Sequence, residues 1–468
     1  MNFIPDIMWS DRLVFLLLSA GIASVWYIRR HQHLLLPWQR VGQSATAMVS
    51  LLVLSLFLFV GFLDSLHYRV ALPQTNGGEK VYSPEVLSVF DKLVTPLRTQ
   101  TEKTYSAPLA VTLYAKESIT DAQGRVVRDY PRLKYGGAHL VDPDKELLLD
   151  VLQRCLIGAF VGLGIGWALY FMLIRIMGLR YSAPAPAHGK NESKVGTAVL
   201  VASLVLAALI GAVAHLASAY HVLGTDKVGQ DVLYLSLKSI RTGLIIGTVT
   251  TLVTLPLALL LGIAAGYLRG WVDDVIQYVY TVLSSIPSVL LIAAAVLMMQ
   301  VTIETNPQWF ETAASRADLR LVSLCLILGM TSWTGLCRLL RGETLKLREQ
   351  EYIQAAQAFG VSSLGILMRH IVPNVMHIIL IALVMDFSAL VLAEAVLSYV
   401  GVGVDPSMFS FGTMINAARM EMGREPMVWW ALAAAFGFML VLVLAANLFA
   451  DAVRDAFDPR LNRSEGTA

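Results

Sequence analysis

Two carboxylates, Asp386 and Glu394, lie within or at the end of an apolar run over Ile371–Val396. A charge at that depth is costly unless it faces a polar cavity or a partner. Each is therefore a candidate for lining a solute route. An interhelical hydrogen bond is the rival reading for Asp386, and a structural role is the rival for Glu394. The histidines offer less. His31 and His33 flank a basic loop, while His215 and His221 have a spacing that one helix does not present on one face, with no carboxylate cluster beside them. No Ser, His and Asp arrangement is recognisable, and a lone serine in a membrane helix is usually satisfied by its own backbone. No G-x-x-x-x-G-K-[ST] occurs, so the chain has no phosphate-binding loop of its own. No catalytic residue, cofactor site or metal site is assigned.

Composition explains why chemistry is scarce. The 468 residues are 56% hydrophobic and only 15% charged, which describes a multispanning membrane protein. The net charge of +2 says little about partners, because the distribution of Lys and Arg among the loops is what sets orientation. Cys155, Cys325 and Cys337 sit in or beside apolar spans and read as small core residues.

The most informative polar stretch runs from Glu343 to Pro373, between two strongly apolar segments. At helical spacing Tyr352, Ala355, Ala356 and Phe359 share a face, with Gln350, Gln354 and Gln357 turned away. Gly360 supplies the backbone freedom to end that helix, and Ser362 or Ser363 can cap a second one leading to Pro373. A helix, a sharp turn and a helix at a membrane surface can fit a groove on another protein. A helix lying among lipid headgroups is the alternative.

The residues Gln354-Ala355-Ala356, then Gly360, then Pro373 resemble the EAA loop of ABC importer permeases of the dipeptide, oligopeptide and nickel branch. The chain departs from that pattern at Gln354, usually Glu, and at Val372, usually Leu. Further stretches resemble the same family: LGTDKVGQDVL at 223–233, departing at Gln230; AAGYLRGWVDDVI at 264–276; LAEAVLSYVGVGVDP at 392–406; and DAVRDAFDPRL at 451–461. The resemblance implies an all-α polytopic permease core of six helices over residues 195–461. It implies a second, similar permease, two ATPase subunits that hold ATP and Mg, an extracytoplasmic solute-binding protein and surrounding lipid as partners, with no nucleic acid. It further implies a coupling helix made by Glu351, Tyr352, Gln354, Ala355, Ala356, Phe359, Gly360 and Pro373. Peptides are the default cargo of the branch; nickel, opines and peptide-like antibiotics use the same scaffold.

Hydropathy supplies the elements that position these residues. Residues 1–63 hold two spans, at 13–28 and 44–63, with Asp6 and Asp11 before the first and Arg29, Arg30 and Arg40 between them, so the N-terminus is expected outside. Residues 64–150 form a polar extracytoplasmic insert of α+β character, with a strand at Leu109–Tyr114, a hairpin turn at Asp121–Gly124 and helical ends near 84–93 and 144–153. A third span over 151–180 carries Gly158, Gly162 and Gly166, a row that allows tight helix contact in lipid. A Pro, Ala and Ser-rich cytoplasmic linker follows at 181–194. The six core spans are expected near 195–217, 240–267, 275–301, 319–340, 371–396 and 429–450, which places Arg269, the 343–373 stretch and the C-terminus inside. Pro256, Pro287 and Pro373 each remove a helical hydrogen bond and are candidate bending points. Two rival functions stand beside the importer: an ion-coupled secondary transporter, which needs inverted repeats that the sequence does not display, and a membrane-anchored sensor or assembly protein.

Overall fold

Side-chain oxygens fix the starts of several long helices. In the computed structural model, which describes residues 3–72, 82–120, 126–176, 190–310 and 312–457, strand β1 (Phe3–Pro5) leads into α1 (Trp9–Arg30), α2 (Gln32–Gln43) and α3 (Ala45–Asp64), the last capped by Ser44. The insert contributes β2 (His67–Val70), β3 (Leu87–Ser88), α4 (Val89–Leu93), α5 (Thr95–Thr99), β4 (Glu117–Thr120) and β5 (Val126–Asp129). Then come α6 (Pro143–Ile176), α7 (Lys190–Leu216), α8 (Val232–Leu268), α9 (Trp271–Ser285), α10 (Ser288–Thr305) and α11 (Ala313–Arg348). The chain closes with α12 (Glu351–Ala358), α13 (Ser363–Ile366), α14 (Val372–Val400), α15 (Phe411–Glu421) and α16 (Trp430–Phe457). Asp231, Thr312 and Ser410 cap α8, α11 and α15 through backbone N–H groups of the first turn. Among the described residues nine helices are long and apolar enough to cross a membrane: α1, α3, α6, α7, α8, α10, α11, α14 and α16.

The protein is thus an all-α polytopic membrane protein with two small sheets. β1, β2 and β3 pair antiparallel in that order, with Phe3 opposite Val70 and His67 opposite Ser88, and β4 pairs with β5 as a separate hairpin. The expected turn at Asp121–Gly124, linker residues 181–189 and the tail arginines Arg460 and Arg463 lie outside the described residues.

Three expectations are corrected. The span expected over 275–301 is two helices, α9 and α10, separated at Ile286 and Pro287. Proline has no N–H to donate and forces the preceding residue toward extended backbone, and Ile286 has φ −90° and ψ 131°. By contrast α8 runs unbroken past Pro256, and Pro373 follows directly on a π turn over Leu367–Ile371, with Ile371 and Val372 both helical, so the chain stays helical up to the proline. Leu109–Tyr114 is not a strand. Its N–H groups bond to three different segments in turn, Leu109 to His221 O, Leu113 to Pro131 O and Tyr114 to Tyr105 O, so no single partner strand forms. Finally, α6 begins at Pro143 and continues into the membrane, so the insert and the third span share one helix.

The glycine row on α6 meets α7. A Cβ at Gly158 would stand 2.5 Å from the Gly211 carbonyl oxygen, and one at Gly162 would collide with the Ala207 carbonyl. The two backbones therefore approach as only small residues allow. Two polar seams fasten α1, α3 and the insert to α8 and α11. In the first, the Arg241 guanidinium on α8 donates to Asp11 Oδ1 at 2.7 Å, Ser10 Oγ at 2.7 Å and Ser65 Oγ at 3.3 Å. His67 Nδ1 meets the other Asp11 oxygen at 2.8 Å, and Ser10 donates through both N–H and hydroxyl to Asp318 of α11. In the second, Lys238 lies 2.5 Å from Asp64 and 3.1 Å from Asp91, with Ser88 and Tyr234 hydroxyls donating to the same carboxylates.

Candidate functional site

The elbow between α11 and α14 is built around three isoleucines. Ile353 of α12, Ile366 of α13 and Ile371 ahead of α14 are fully buried in one cluster with Leu336, Leu340 and Tyr267, so the elbow is locked onto the ends of α8, α9 and α11. Ala356 packs partly into the same cluster. On the other side of α12, Tyr352, Ala355 and Phe359 are exposed, Phe359 by 87%. The face read from the sequence is therefore divided: Ala356 turns inward beside Ile353, whereas Tyr352, Ala355 and Phe359 form an outward stripe with Glu351 and Gln354 beside it.

Local chemistry sets the angle of the elbow. Phe359 N–H donates to Ala355 O at 2.9 Å to close α12, and Gly360 adopts φ +75°, a left-handed conformation that glycine takes without a Cβ penalty. Its N–H donates to Gln357 O at 3.0 Å. Ser362 then caps α13 by accepting the Gly365 N–H. A π turn over Leu367–Ile371 delivers the chain to Pro373 and α14. Asn374 donates to Tyr352 Oη at 3.2 Å, tying α12 to α14. Gln354 Nε2 donates to the Glu349 carbonyl at 3.2 Å, a bond that an ionised glutamate could not make. The Glu349 side chain pairs with Arg269 across the turn that follows α8. Arg341 grips Asp273 of α9 with two bonds of 2.6 and 2.8 Å, which hold the Asp273 carboxyl below the usual carboxylate range.

The two carboxylates of the route hypothesis are separated. Glu394 is fully buried and accepts hydroxyl hydrogen bonds from Ser398 at 2.6 Å and Ser410 at 2.9 Å, joining α14 to the start of α15. Asp386 has no hydrogen bond or ion pair among the described residues and lines a cavity of about 490 Å³ between α11 and α14.

At the opposite end of the spans, the 223–233 turn is covered by the insert. The Thr225 hydroxyl donates to Thr104 O at 2.9 Å and accepts from the Ser106 N–H at 2.6 Å, and Trp430 Nε1 donates to Thr225 O at 2.9 Å. His221 stands between Asp231, 2.7 Å away, and Glu102, 3.5 Å away. Glu102 accepts N–H bonds from Lys134, Tyr135 and Gly136. Burial opposes both charges, but the His221 contact and these N–H groups bring Glu102 down to about 2, while Asp231 and Glu102 carry His221 up to about 9. The depressed carboxyl contributes stability above its ordinary value of 4.5, lost as pH falls toward 2. The raised imidazole contributes stability below 6.5, lost as pH rises through about 9. Protection of the insert against limited proteolysis should therefore stay level between about pH 4.5 and 6.5 and decline toward pH 9. The alkaline decline should vanish in His221→Gln; a wild-type profile flat across that range would contradict the assignment.

Residues 258–463 match the family described as "Binding-protein-dependent transport system inner membrane component". Over 239 residues the chain is 32% identical to the oligopeptide transport system permease protein of Mycobacterium tuberculosis, covering 51% of this chain and 76% of that protein. The chain belongs to this family of binding-protein-dependent transport permeases. Similarity of the same order links the permease to a glutathione transport system permease protein of Pectobacterium atrosepticum, 32% identical over 52% of this chain and 74% of that one. A Bacillus subtilis oligopeptide transport system permease protein is 28% identical over 52% and 73%.

The matched region of the permease starts inside α8 and takes in the elbow, α14 and α16. Some residues that organise the permease were not picked out from its sequence. Ile353 sits outside the stripe of Tyr352 and Phe359 yet anchors α12, and a buried aliphatic between two exposed neighbours is visible only once the helix has something to pack on. Arg241 and Lys238 did carry a signal, since a cation near a span end needs a partner.

Proposed function

We propose that this permease is the non-catalytic transmembrane subunit of an ATP-driven importer, with peptides as its cargo. It forms the translocation path with a second permease, receives substrate from an extracytoplasmic binding protein and is driven by two ATPase subunits that hold ATP and Mg. The outward stripe of Tyr352, Ala355 and Phe359, with Glu351 and Gln354 at its edge, docks into an ATPase groove. Gly360 and Pro373 set the angle at which α12 and α13 meet α14. The observation that carries this reading is the division of α12: an exposed apolar stripe on one side, and on the other Ile353 locked into a cluster that reaches α8, α9, α11 and α14. A push on the stripe is thereby passed to several spans at once.

Charge supports the orientation. Arg29, Arg30, Arg40, Arg269, Arg348 and Arg369 lie toward the end of the spans that carries the elbow, as expected of a cytoplasmic face. In this arrangement the N-terminus and the 64–150 insert are extracytoplasmic, the C-terminus is cytoplasmic, and 195–461 is the permease core, with 1–63 and 151–180 as added spans. Protease added to intact spheroplasts should cut within 82–150, and complete protection of that segment would overturn the orientation. The function itself is tested by affinity purification of the full chain from its native membrane. ATPase subunits and a second permease should accompany it, and recovery of the chain without either would count against the proposal.

A further inference from the structure

Asp386 is an exception among the buried acidic groups of the spans. Asp11 and Asp318 are held by the Arg241 seam and Glu394 by two serine hydroxyls, whereas the partly buried Asp386 carries no hydrogen bond or ion pair among the described residues. The cavity of about 490 Å³ that it lines is bounded by Ser332, Gly335 and Leu339 of α11, Ala382 of α14 and Arg454 of α16. Arg454 is exposed and has no ion pair among the described residues. An anion and a cation thus line one cavity in the half of the bundle nearest the elbow without closing on each other. A carboxylate kept only for the fold would be expected to be paired, because the unpaired, partly buried Asp386 has lost water and gained nothing in return.

We propose that Asp386 and Arg454 form a dipolar, water-filled waypoint for a zwitterionic solute, Asp386 receiving its ammonium group and Arg454 its carboxylate. The inference rests on the peptide-importer reading and assigns the part of the path that meets both termini. Apart from the two charged groups and the Ser332 hydroxyl, the residues that line the cavity are apolar, Leu336, Leu339, Ile381 and Met385 among them, and offer no side-chain hydrogen bond to select among residues of the cargo. Recognition there falls on the two charged ends, which every free peptide shares.

The test uses the full chain in membrane vesicles containing the assembled transporter. Ala382→Cys places a thiol one helical turn before Asp386 on the same face, and labelling is followed by mass spectrometry of the peptide containing residue 382. A trimethylammonium thiosulfonate should react at least tenfold faster than its sulfonate analogue, and adding Asp386→Asn should bring the ratio to within twofold of one. Dialanine should slow the labelling at least fivefold, whereas N-acetyl-dialanine amide should not, and Arg454→Gln should weaken the protection. Absence of labelling, a charge-blind rate, or protection by both compounds or by neither would overturn the waypoint. Co-purification of ATPase subunits is scored separately: its loss overturns the importer reading, while its presence with charge-blind labelling overturns the waypoint alone.

Discussion

Arg241→Met should leave most of the chain unable to reach a stable folded state in the membrane. Arg241 is 6% exposed and holds Asp11, Ser10 and Ser65, and through Ser10 it reaches Asp318 of α11. Removing it strands the Asp11 carboxylate without its cation, and breaking a buried pair in this way costs roughly 3–5 kcal/mol. That is a large share of the total stability of an ordinary domain. The loss should be visible as a collapsed monodisperse peak in detergent and a lowered unfolding temperature. Arg241→Lys keeps the charge but not the forked geometry and should fall between the two. Neutralising the seam as a whole, with Arg241→Met, Asp11→Asn and Asp318→Asn together, should recover much of the loss, because no charge is then left uncompensated. A single Arg241→Met variant that melts like wild type would mean that α1 and α3 are not fastened through this seam.

Gly360→Pro should abolish coupling without disturbing insertion. Proline fixes φ near −65°, opposite in sign to the +75° observed, and deletes the N–H that bonds Gln357 O. The turn must open, and the stripe of Tyr352, Ala355 and Phe359 swings relative to the spans. Transport-linked ATP hydrolysis and uptake should both fall at least tenfold while the chain still elutes as a folded species. Gly360→Ala, which bears only the left-handed penalty of about 1–2 kcal/mol, should retain part of the activity. Ala356→Trp should act from the other side, since a large ring cannot enter the Ile353 cluster and would lever α12 outward. Phe359→Ala removes a ring that is 87% exposed, so it should leave the fold intact and weaken ATPase docking alone. Normal coupling in both Gly360→Pro and Phe359→Ala would remove the elbow from the mechanism.

Much of this architecture is legible in the sequence because it is local. The apolar runs mark the spans, Gly158 and Gly162 mark the α6–α7 contact, and Gly360 with Ser362 marks the elbow. What is not legible depends on partners distant in the chain. Ser10 and Asp318 are separated by 308 positions, and nothing near either names the other. Leu109–Tyr114 has strand-forming side chains, yet its backbone is shared among three segments, an outcome that tertiary packing decides. The inward turn of Ala356 follows from the place of Ile353 on the bundle, which no helical wheel contains. Pro287 was visible as a bending point, but whether a proline breaks a helix, is carried through it or follows a π turn depends on what satisfies the neighbouring carbonyls. Pro256, Pro287 and Pro373 give three different answers in one chain.

Reconstitution in liposomes bears most directly on the claim that this chain is a gate moved by a separate motor. With the second permease, both ATPase subunits and the binding protein present, ATP should drive accumulation of a labelled dipeptide against its gradient, and omitting the ATPase subunits should reduce uphill uptake to background. Accumulation of the dipeptide by the purified chain alone, with no nucleotide-hydrolysing subunit in the vesicle, would contradict the account.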